Sequence, residues 1–190
     1  MKRKVFVVTG NTGTGKTSVT KYLNEFYEMP KVVTHTTRQP RAGEMDQVDY
    51  YFESHDTFAQ NHYLEQVTYD GNQYGSSREG LERAFEKNPL ITIVLDTQGA
   101  ATYLEELPAD EVVVIYLTVS KEHDLYQRLV KRGDDVQKFM NVYRVKNTYE
   151  IHRFQRIYKH RPMLLKMMTG KKPKTRLMPL CKHPSKMIKD

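Results

Sequence analysis

The sequence is poor in the features that mark a disulfide-bonded or zinc-binding protein. Its 190 residues include a single cysteine, Cys181, which cannot form an internal disulfide. No spaced Cys and His neighbours accompany it, so the surrounding segment does not resemble a zinc site. The length suffices for one globular domain with a full core and gives no reason to divide the chain into independent domains. We therefore expect one main unit with insertions.

Long apolar runs are also missing. A transmembrane helix needs about 20 consecutive apolar residues, and no stretch of this sequence reaches that length. The apolar residues after Lys4 end at Thr9 and Gly10, which is too short a run for a signal peptide. We expect a cytoplasmic protein with no membrane association.

Most of the chain carries no net positive charge, and the excess of positive charge lies in its C-terminal segment. The net charge is +7, but residues 1–160 hold 21 Lys and Arg against 22 Asp and Glu, whereas residues 161–190 hold 9 against the single Asp190. Such a basic segment can bind nucleic acid through phosphate groups, or it can simply be solvated. It has no aromatic residue on which bases could stack, so we favour the second interpretation.

Short apolar runs alternate with helical patterns along most of the chain. Lys4–Thr9 is nearly continuously apolar and is followed by a glycine, as expected of a strand buried on both faces of a parallel sheet. The further predicted strands are Val32–Thr34, Leu90–Asp96 and Val112–Val119, and the predicted helices are Thr17–Phe26, Arg78–Glu86, Ala100–Glu106 and Lys121–Lys131. This order predicts an α/β fold with a parallel sheet flanked by helices. For residues 161–190 no element is predicted.

A polar region with interspersed aromatic residues interrupts this pattern up to Ser77. Within it, Tyr63–Tyr69 can pair with a following strand across Asp70-Gly71, a dipeptide that favours hairpin turns. We expect this insertion to form a small sheet of its own.

The stretch GNTGTGKT, residues 10–17, fits the pattern G-x-x-x-x-G-K-[ST] between a predicted strand and a predicted helix. Its glycines let backbone N–H groups point inward, and the helix N-terminus adds partial positive charge. The stretch therefore predicts a polyphosphate site formed by Gly10, Asn11, Thr12, Gly13, Thr14, Gly15, Lys16, Thr17 and Ser18. Lys16 is expected to reach the β- and γ-phosphates, and the Thr17 hydroxyl to ligate Mg²⁺. Hydrolases, motors and kinases all share such a loop.

A second anion site is indicated by THTTRQPRAGE, residues 34–44. Arg38 and Arg41 follow the second predicted strand, at the edge of the sheet where α/β proteins bind ligands. Two guanidinium groups can hold one phosphate from two sides, a geometry that lysine does not reproduce. A phosphate site beside a nucleotide loop implies an acceptor that is itself a phosphate ester.

Three motifs, THTTRQPRAGEMDQVDYYF, YLEQVTYDGNQYGSS and VLDTQGA, occur in this order and closely resemble the guanylate kinase family. The likeness extends over residues 5–132. It implies a P-loop NTPase-type parallel sheet flanked by helices, a small mixed α/β insertion that binds GMP, and a helical lid. On this basis residues 1–33 and 78–127 form the core with the P-loop, 34–77 the insertion, 128–147 the lid, 148–160 a return helix and 161–190 a basic segment.

The resemblance also implies which residues bind the acceptor nucleotide. The phosphate of GMP would be surrounded by Arg38, Arg41, Tyr50 and Tyr74. The guanine base would be contacted by Thr34, Glu65, Ser76 and Asp96. Guanine presents N1–H and an exocyclic amine side by side, and one carboxylate accepts both, whereas adenine would set a lone pair against Glu65. Thr36, Thr37 and Glu44 are expected to shape the loop.

Arginines further along the chain complete the implied catalytic set. Arg128 and Arg132 are spaced to share one helix face, and the family places arginines there, at the start of a lid over the transferring phosphoryl group. Their charge would offset the charge of that group; alternatively, they are surface arginines of an amphipathic helix. Arg144 is a third candidate, at a spacing that departs slightly from the family pattern. With Lys16, these are the predicted catalytic residues.

Three departures limit what the resemblance implies. The family usually has an acidic residue where this chain has Val94, so a water-mediated Mg²⁺ contact is absent or falls to Asp96. The lid segment lacks the usual glutamate-rich opening. Residues 161–177 show neither the strand with an Asn-Asp motif nor the helix with which the family usually ends, so the adenine pocket has no sequence support.

These observations favour an enzyme, a nucleoside monophosphate kinase that uses ATP and Mg²⁺ to phosphorylate GMP or dGMP. One alternative is a guanylate-kinase-like module that binds a phosphorylated peptide without turnover, and another is a kinase of a different purine monophosphate. The enzyme is favoured because Gly10, Gly15, Lys16 and Thr17 are all present, whereas such modules generally have a damaged loop. The sequence indicates no oligomeric state.

Overall fold

The structure, a computed structural model, describes residues 2–69, 71–119, 122–132 and 163–168. The strands are β1 (Lys4–Gly10), β2 (Thr34–Thr36), β3 (Tyr50–Phe52), β4 (Tyr63–Tyr69), β5 (Asn72–Ser77), β6 (Leu90–Val94), β7 (Val112–Val119) and β8 (Met163–Met168). The helices are α1 (Lys16–Tyr27), α2 (His55–Phe58), α3 (Arg78–Lys87), α4 (Thr97–Glu106) and α5 (Glu122–Arg132). The strands form two separate four-stranded sheets.

The first sheet has the strand order β6-β1-β7-β8, and all its pairings are parallel. Strand β1 lies inside the sheet, with its side chains buried on both faces. Val5 and Val7 belong to an apolar cluster that includes residues of α3 and α4, such as Leu81 and Leu104. Phe6 and Val8 belong to a second cluster on the other face, which includes residues of α1. This arrangement confirms the predicted α/β fold with helices flanking a parallel sheet.

The second sheet is formed by the insertion and has the order β3-β2-β5-β4. Strands β4 and β5 pair antiparallel, with Tyr69 opposite Asn72, which confirms the predicted hairpin. Strand β2 pairs antiparallel with β5 and in parallel with β3, so the sheet is mixed. The insertion therefore has a sheet of its own, as the sequence predicts.

The prediction of a strand over Val32–Thr34 is wrong, because these residues contact different sheets. The Val32 N–H donates to the Thr92 carbonyl of the first sheet at 2.7 Å, whereas Thr34 lies opposite Tyr50 in the second. The chain thus leaves the edge of the first sheet after Val32, and the strand begins at Thr34. The predicted end of the strand Leu90–Asp96 is also wrong. The strand ends at Val94, and Asp96 instead caps α4 by accepting the Gly99 N–H at 2.7 Å.

The sequence predicts no element in residues 161–190, but one segment of them forms a strand. Met163–Met168 forms β8, which pairs in parallel with β7 from Val114 to Val119. The free edge of β7 offers N–H and C=O groups that a strand can satisfy, and this pairing does not require β-branched residues. The remainder of the segment lies outside the described residues, as do the return helix predicted for 148–160 and the lid beyond Arg132.

A buried histidine fixes the insertion to the core. His35 Nε2 lies 2.8 Å from the Ser77 hydroxyl, which caps α3 by accepting the Gly80 N–H at 3.0 Å. The other ring nitrogen, Nδ1, contacts the Glu53 carboxylate. The two ends of the insertion are thereby joined to the first turn of α3. None of the described helices is long and apolar enough to span a membrane.

The conformation of Gly10 gives a test of the fold. Its φ is +136°, and a Cβ there would lie 2.2 Å from the Leu117 carbonyl oxygen. Gly43 also has a positive φ, +85°, but a Cβ there meets nothing within 4 Å. We expect Gly10→Ala to lower the free energy of unfolding by roughly 3 kcal/mol or more, since backbone strain and a backbone clash add. Gly43→Ala should cost only about 1–2 kcal/mol.

Denaturant titration of the two variants and the unchanged protein measures this difference. Equal losses in the two variants would show that the approach of β1 to β7 at Gly10 does not constrain the fold.

Candidate active site

The predicted phosphate loop lies between β1 and α1. Three of its glycines have positive φ angles, +136° at Gly10, +80° at Gly13 and +98° at Gly15, which residues with a side chain rarely adopt. Gly15 is the N-cap of α1 and supplies no capping side chain. The first N–H groups of the helix therefore have no side-chain acceptor at the cap, which is the arrangement that binds anions.

The Lys16 ammonium group lies within this loop. It donates to the carbonyl oxygens of Gly10 at 2.7 Å and Asn11 at 3.0 Å. The Thr14 hydroxyl also donates to the Asn11 carbonyl, at 2.7 Å. A cation held by neutral carbonyl groups can move to phosphate oxygens at low cost, because hydrogen bonds to a charged acceptor are stronger.

Helix α5 brings one of the predicted lid arginines to the phosphate loop. Arg128 Nη1 donates to the Gly13 carbonyl at 3.3 Å. A Cβ at Gly13 would lie 2.7 Å from Leu125 Cδ1 and 3.3 Å from Leu129 Cδ2, so α5 packs directly on the loop. The Arg132 side chain and Arg144 lie outside the described residues.

Two of the predicted acceptor-phosphate residues, Arg38 and Arg41, lie in the loop between β2 and β3. Arg38 Nη2 donates to both carboxylate oxygens of Glu44, each at 3.0 Å. Glu44 also accepts the Arg41 N–H at 2.7 Å, so it shapes the loop in the way the sequence predicts. Two threonines attach this region to Gln73 of β5. The Thr36 hydroxyl donates to the Gln73 carbonyl, and the Thr37 hydroxyl accepts the Gln73 N–H, each at 2.9 Å.

Aromatic rings connect Arg38 to the two predicted phenol donors. The Arg38 guanidinium carbon is 5.5 Å from the centre of the Tyr50 ring, and the Tyr50 and Tyr74 rings are 6.3 Å apart in a T-shaped arrangement. Burial raises the pKa of Tyr50, so its phenol keeps its proton and remains a donor at neutral pH. The structure thus brings Arg38, Tyr50 and Tyr74 together, with the exposed Arg41 on the same loop.

The predicted base-binding residues meet where the insertion contacts α4. The Ser76 hydroxyl donates to Glu65 Oε1 at 3.1 Å, and the Tyr103 hydroxyl donates to the Ser76 oxygen at 3.0 Å. On the other side, a Cβ at Gly99 would lie 3.2 Å from Glu65 Oε2. The Glu65 carboxylate is therefore confined on two sides by groups from different elements.

An open cleft of about 350 Å³ lies beside this carboxylate, and its lining includes Glu65, Asp96, Gln98 and Thr102. The volume is in the range of small-molecule sites. Thr34 is buried in β2. Among the described residues, no hydrogen bond links its hydroxyl to Glu65 or Ser76.

Sequence reasoning missed Tyr103. This residue is fully buried, and in the sequence it has the spacing of an ordinary apolar residue of an amphipathic helix. Its hydroxyl orients Ser76, which is 27 residues away along the chain. No local pattern indicates this contact, because it depends on how α4 crosses β5.

The electrostatic environment of Glu65 is unusual for a carboxylate. Burial raises its pKa from 4.5 to about 7, the Ser76 hydrogen bond opposes this rise, and the nearby Asp96 carboxylate adds to it. The folded protein thus holds a partly desolvated carboxyl group with few donors. A ligand that supplies N–H groups would stabilise the ionised form.

Comparison with known proteins agrees with this geometry. The sequence model described as guanylate kinase matches residues 2–159, which is most of the chain. The chain belongs to the guanylate kinase family. It is 36% identical over 139 residues to the guanylate kinase of Thermus thermophilus, covering 71% of this chain and 62% of that protein. It is 35% identical over 143 residues to the guanylate kinase of Chlamydia muridarum, covering 71% of this chain and 68% of that protein.

A solved structure supports the guanylate kinase fold. The crystal structure of guanylate kinase from Anaplasma phagocytophilum matches with a TM-score of 0.59 at 23% sequence identity, over 90% of this chain and 78% of that one. At this identity the likeness shows the fold alone. The matched part of this chain spans 62% of the length of the Thermus thermophilus relative.

The residues of this guanylate kinase family member fit a nucleotide polyphosphate with Mg²⁺. The loop offers backbone N–H groups and the Lys16 ammonium group, and Thr17 lies in the first turn of α1. Among the described residues, no group of three or more His, Cys, Asp or Glu side chains is placed to hold a metal ion. Mg²⁺ bound with a nucleotide takes one or two protein ligands together with phosphate oxygens and water. Asp96 lies beside Glu65 and caps α4, and no described contact links it to Thr17.

Stability should fall with pH because of Glu65. The protonated form contributes stability that is fully present below the ordinary pKa of 4.5 and is lost as the pH rises to the folded-state value of about 7. We expect the unchanged protein to lose about 2 kcal/mol relative to Glu65→Gln between pH 5 and pH 8. Denaturant titrations at the two pH values measure this loss. The exposed Glu86 provides the control Glu86→Gln, and an equal pH dependence in the unchanged protein and Glu65→Gln would contradict the expectation.

Proposed function

We propose that this chain is an ATP-dependent kinase that transfers the γ-phosphoryl group of ATP to GMP or dGMP, giving GDP or dGDP and ADP. One observation carries the proposal. An undamaged phosphate loop, with Lys16 inside it, accompanies a second and separate cation-and-phenol cluster at Arg38, Tyr50 and Tyr74. Two anion sites in one chain are what transfer between two phosphate esters requires.

The phosphate loop is the proposed donor site. The loop N–H groups would bind the donor phosphates, and Lys16 would move from the Gly10 and Asn11 carbonyls to the β- and γ-phosphates. Mg²⁺, held by Thr17 and by the phosphates themselves, would supply positive charge between these groups. Its second possible protein ligand is Asp96. Arg128, which already contacts the Gly13 carbonyl at 3.3 Å, would add charge beside the transferring group.

The loop after β2 is the proposed acceptor-phosphate site. Arg38 and Arg41 would hold the monophosphate as cations, and Tyr50 and Tyr74 would donate from their phenols. Glu44 keeps the Arg38 guanidinium group in place before the ligand arrives, through two hydrogen bonds of 3.0 Å. Such preorganisation lowers the entropy cost of binding.

The cleft beside Glu65 is the proposed base site. Ionised Glu65 would accept N1–H and the exocyclic amine of guanine, and Ser76 stays fixed to Glu65 Oε1 through Tyr103. Adenine presents a lone pair at N1, so its binding would leave a buried carboxylate facing an acceptor. Such a mismatch in a partly desolvated site discriminates strongly between substrates. Thr34 and Asp96 complete the expected base contacts.

The reaction needs no protein nucleophile. An oxygen of the GMP phosphate forms a bond to the γ-phosphorus of ATP, while the bond from that phosphorus to the β,γ-bridging oxygen breaks and ADP leaves with its electron pair. Alignment and charge neutralisation supply the catalysis. Arg132 and Arg144 are proposed to assist Arg128 from the lid.

Binding of a phosphorylated peptide without turnover is disfavoured by the phosphate loop. A module that does not turn over does not require the Lys16 ammonium group inside the loop or a helix N-terminus without a capping side chain. A donor nucleotide accounts for both features.

Lys16→Ala separates donor from acceptor function. We expect phosphoryl transfer to fall by about 10²–10³-fold or more, because a positioned cation is lost from the charged transition state. GMP affinity should stay within severalfold, because the Lys16 ammonium group donates to carbonyls of the phosphate loop, which belongs to the core and not to the insertion. Coupled measurement of ADP release and calorimetric titration with GMP give the two quantities.

The control is Lys21→Ala, an exposed residue of the same helix whose ammonium group lies 3.6 Å from Glu25. It should leave both quantities unchanged. Loss of GMP binding in a folded Lys16→Ala variant would refute the assignment of two separate sites.

A further inference from the structure

A lysine that the sequence patterns do not mark lies between the core and the acceptor loop. Lys31 is attached through its backbone to the edge of the first sheet, where it forms a parallel bridge to Thr92. The residues on either side of it are hydrogen-bonded to Thr92 as well. The Pro30 carbonyl accepts the Thr92 N–H at 2.9 Å, and the Val32 N–H donates to the Thr92 carbonyl at 2.7 Å. The backbone of Lys31 therefore belongs to the core.

The side chain of Lys31 extends from there to the insertion. Its ammonium group donates to the Asp49 carbonyl at 3.1 Å and lies 5.5 Å from the centre of the Tyr50 ring. The residue is half-buried, and burial lowers the pKa of its ammonium group, while the Asp49 and Glu44 carboxylates raise it. Among the described residues, no carboxylate lies within ion-pair distance of Lys31.

The Lys31 ammonium group is partly removed from water and donates to a neutral protein group, the Asp49 carbonyl. An ammonium group has three donors, and a single protein acceptor, the Asp49 carbonyl, is within hydrogen-bond distance in the described part of the chain. Removing such a cation from water costs free energy unless an anion compensates. The arrangement therefore points to an anionic ligand.

The charge of the acceptor loop, residues 38–50, also indicates that a cation from outside the loop is needed to bind a phosphate group. Residues 38–50 contain two arginines and three carboxylates, Glu44, Asp46 and Asp49, for a net charge of −1. The carboxylates of Glu44 and Asp49 accept backbone N–H groups of the loop, at 2.7 and 2.9 Å, and that of Asp46 accepts the Phe52 N–H of β3 at 2.9 Å. A phosphate monoester carries nearly two negative charges at neutral pH. The net negative charge of the loop therefore opposes its binding. Lys31 is a cation from outside the loop that reaches it.

Tyr50 connects this cation to the proposed phosphate position. The ring of Tyr50 has Arg38 at 5.5 Å and Lys31 at 5.5 Å from its centre. Both cations are therefore close to the residue whose phenol is expected to donate to the phosphate. A phosphate group that contacts Arg38 and Tyr50 would lie within the range in which the Lys31 charge is felt.

We propose that Lys31 is a third cation of the acceptor-phosphate site, which binds the monophosphate group of the acceptor nucleotide together with Arg38 and Arg41. This inference rests on the proposed function. It adds a contact from the core to a site otherwise built by the insertion, so acceptor binding also ties the insertion to the edge of the first sheet.

Two substitutions and two ligands test the proposal. Lys31→Met removes the charge at nearly equal length, and Lys31→Arg keeps it. Each variant, made in the whole 190-residue chain, is titrated calorimetrically with GMP and with guanosine, which lacks the phosphate. We expect Lys31→Met to weaken GMP binding by about 10- to 100-fold, the range for a hydrogen bond to a charged group, and to leave guanosine binding unchanged. Lys31→Arg should bind GMP within severalfold of the unchanged protein.

Controls distinguish failure of this proposal from failure of the proposed function. Lys21→Met changes the net charge equally at an exposed position and should leave GMP binding unchanged. Arg38→Met should weaken GMP but not guanosine. If Arg38→Met does so and Lys31→Met does not, the Lys31 proposal is overturned and the acceptor site stands. Equal losses for GMP and guanosine in Lys31→Met also overturn it, because they indicate a structural role.

If the unchanged protein shows no preference for GMP over guanosine, the acceptor site and the Lys31 proposal both fall. Lys31→Gln keeps a polar side chain at this half-buried position. It provides the same comparison if Lys31→Met does not fold.

Discussion

The Glu65 carboxylate is held where the second sheet contacts α4, and much of the proposed site depends on it. One of its oxygens accepts the Ser76 hydroxyl at 3.1 Å, and the other faces Gly99, where any larger residue would be crowded. Tyr103 of α4 completes the chain of hydrogen bonds by donating to Ser76. Desolvation of this group raises its pKa to about 7, so keeping it ionised costs stability at neutral pH. In the proposed function, the N1–H and exocyclic amine of guanine would donate to this carboxylate.

The second constraint is that the two anion sites belong to different sheets. The phosphate loop follows β1 of the core, whereas Arg38, Tyr50 and Tyr74 belong to the insertion. Phosphoryl transfer requires them to act on atoms about 3–3.5 Å apart. The contacts between insertion and core include the hydrogen bonds from Tyr103 to Ser76 and from Lys31 to the Asp49 carbonyl, and Leu64 of β4 packs in the apolar cluster of the core. Such contacts can hold an insertion in register while permitting small movements.

The sequence predicts the parts of this structure that depend on local patterns. The apolar run before Gly10 indicates β1, the glycine-rich stretch indicates the phosphate loop, and Asp70-Gly71 indicates the hairpin of β4 and β5. It does not predict features that depend on distant partners. Val32 and Thr34 contact different sheets because of neighbours in β6 and β3. Met163–Met168 consists of residues that suit helices equally well, and only the free edge of β7 makes it a strand.

The central claim is that this chain transfers a phosphoryl group to a guanine nucleotide. The most direct measurement is ADP release at pH 8, where Glu65 is ionised, with ATP, Mg²⁺ and each common ribo- and deoxyribonucleoside monophosphate in turn. We predict release with GMP or dGMP, far slower release with the adenine and pyrimidine monophosphates, and little hydrolysis of ATP without an acceptor. Binding of GMP without any release of ADP, or faster release with AMP than with either guanine nucleotide, would contradict the account.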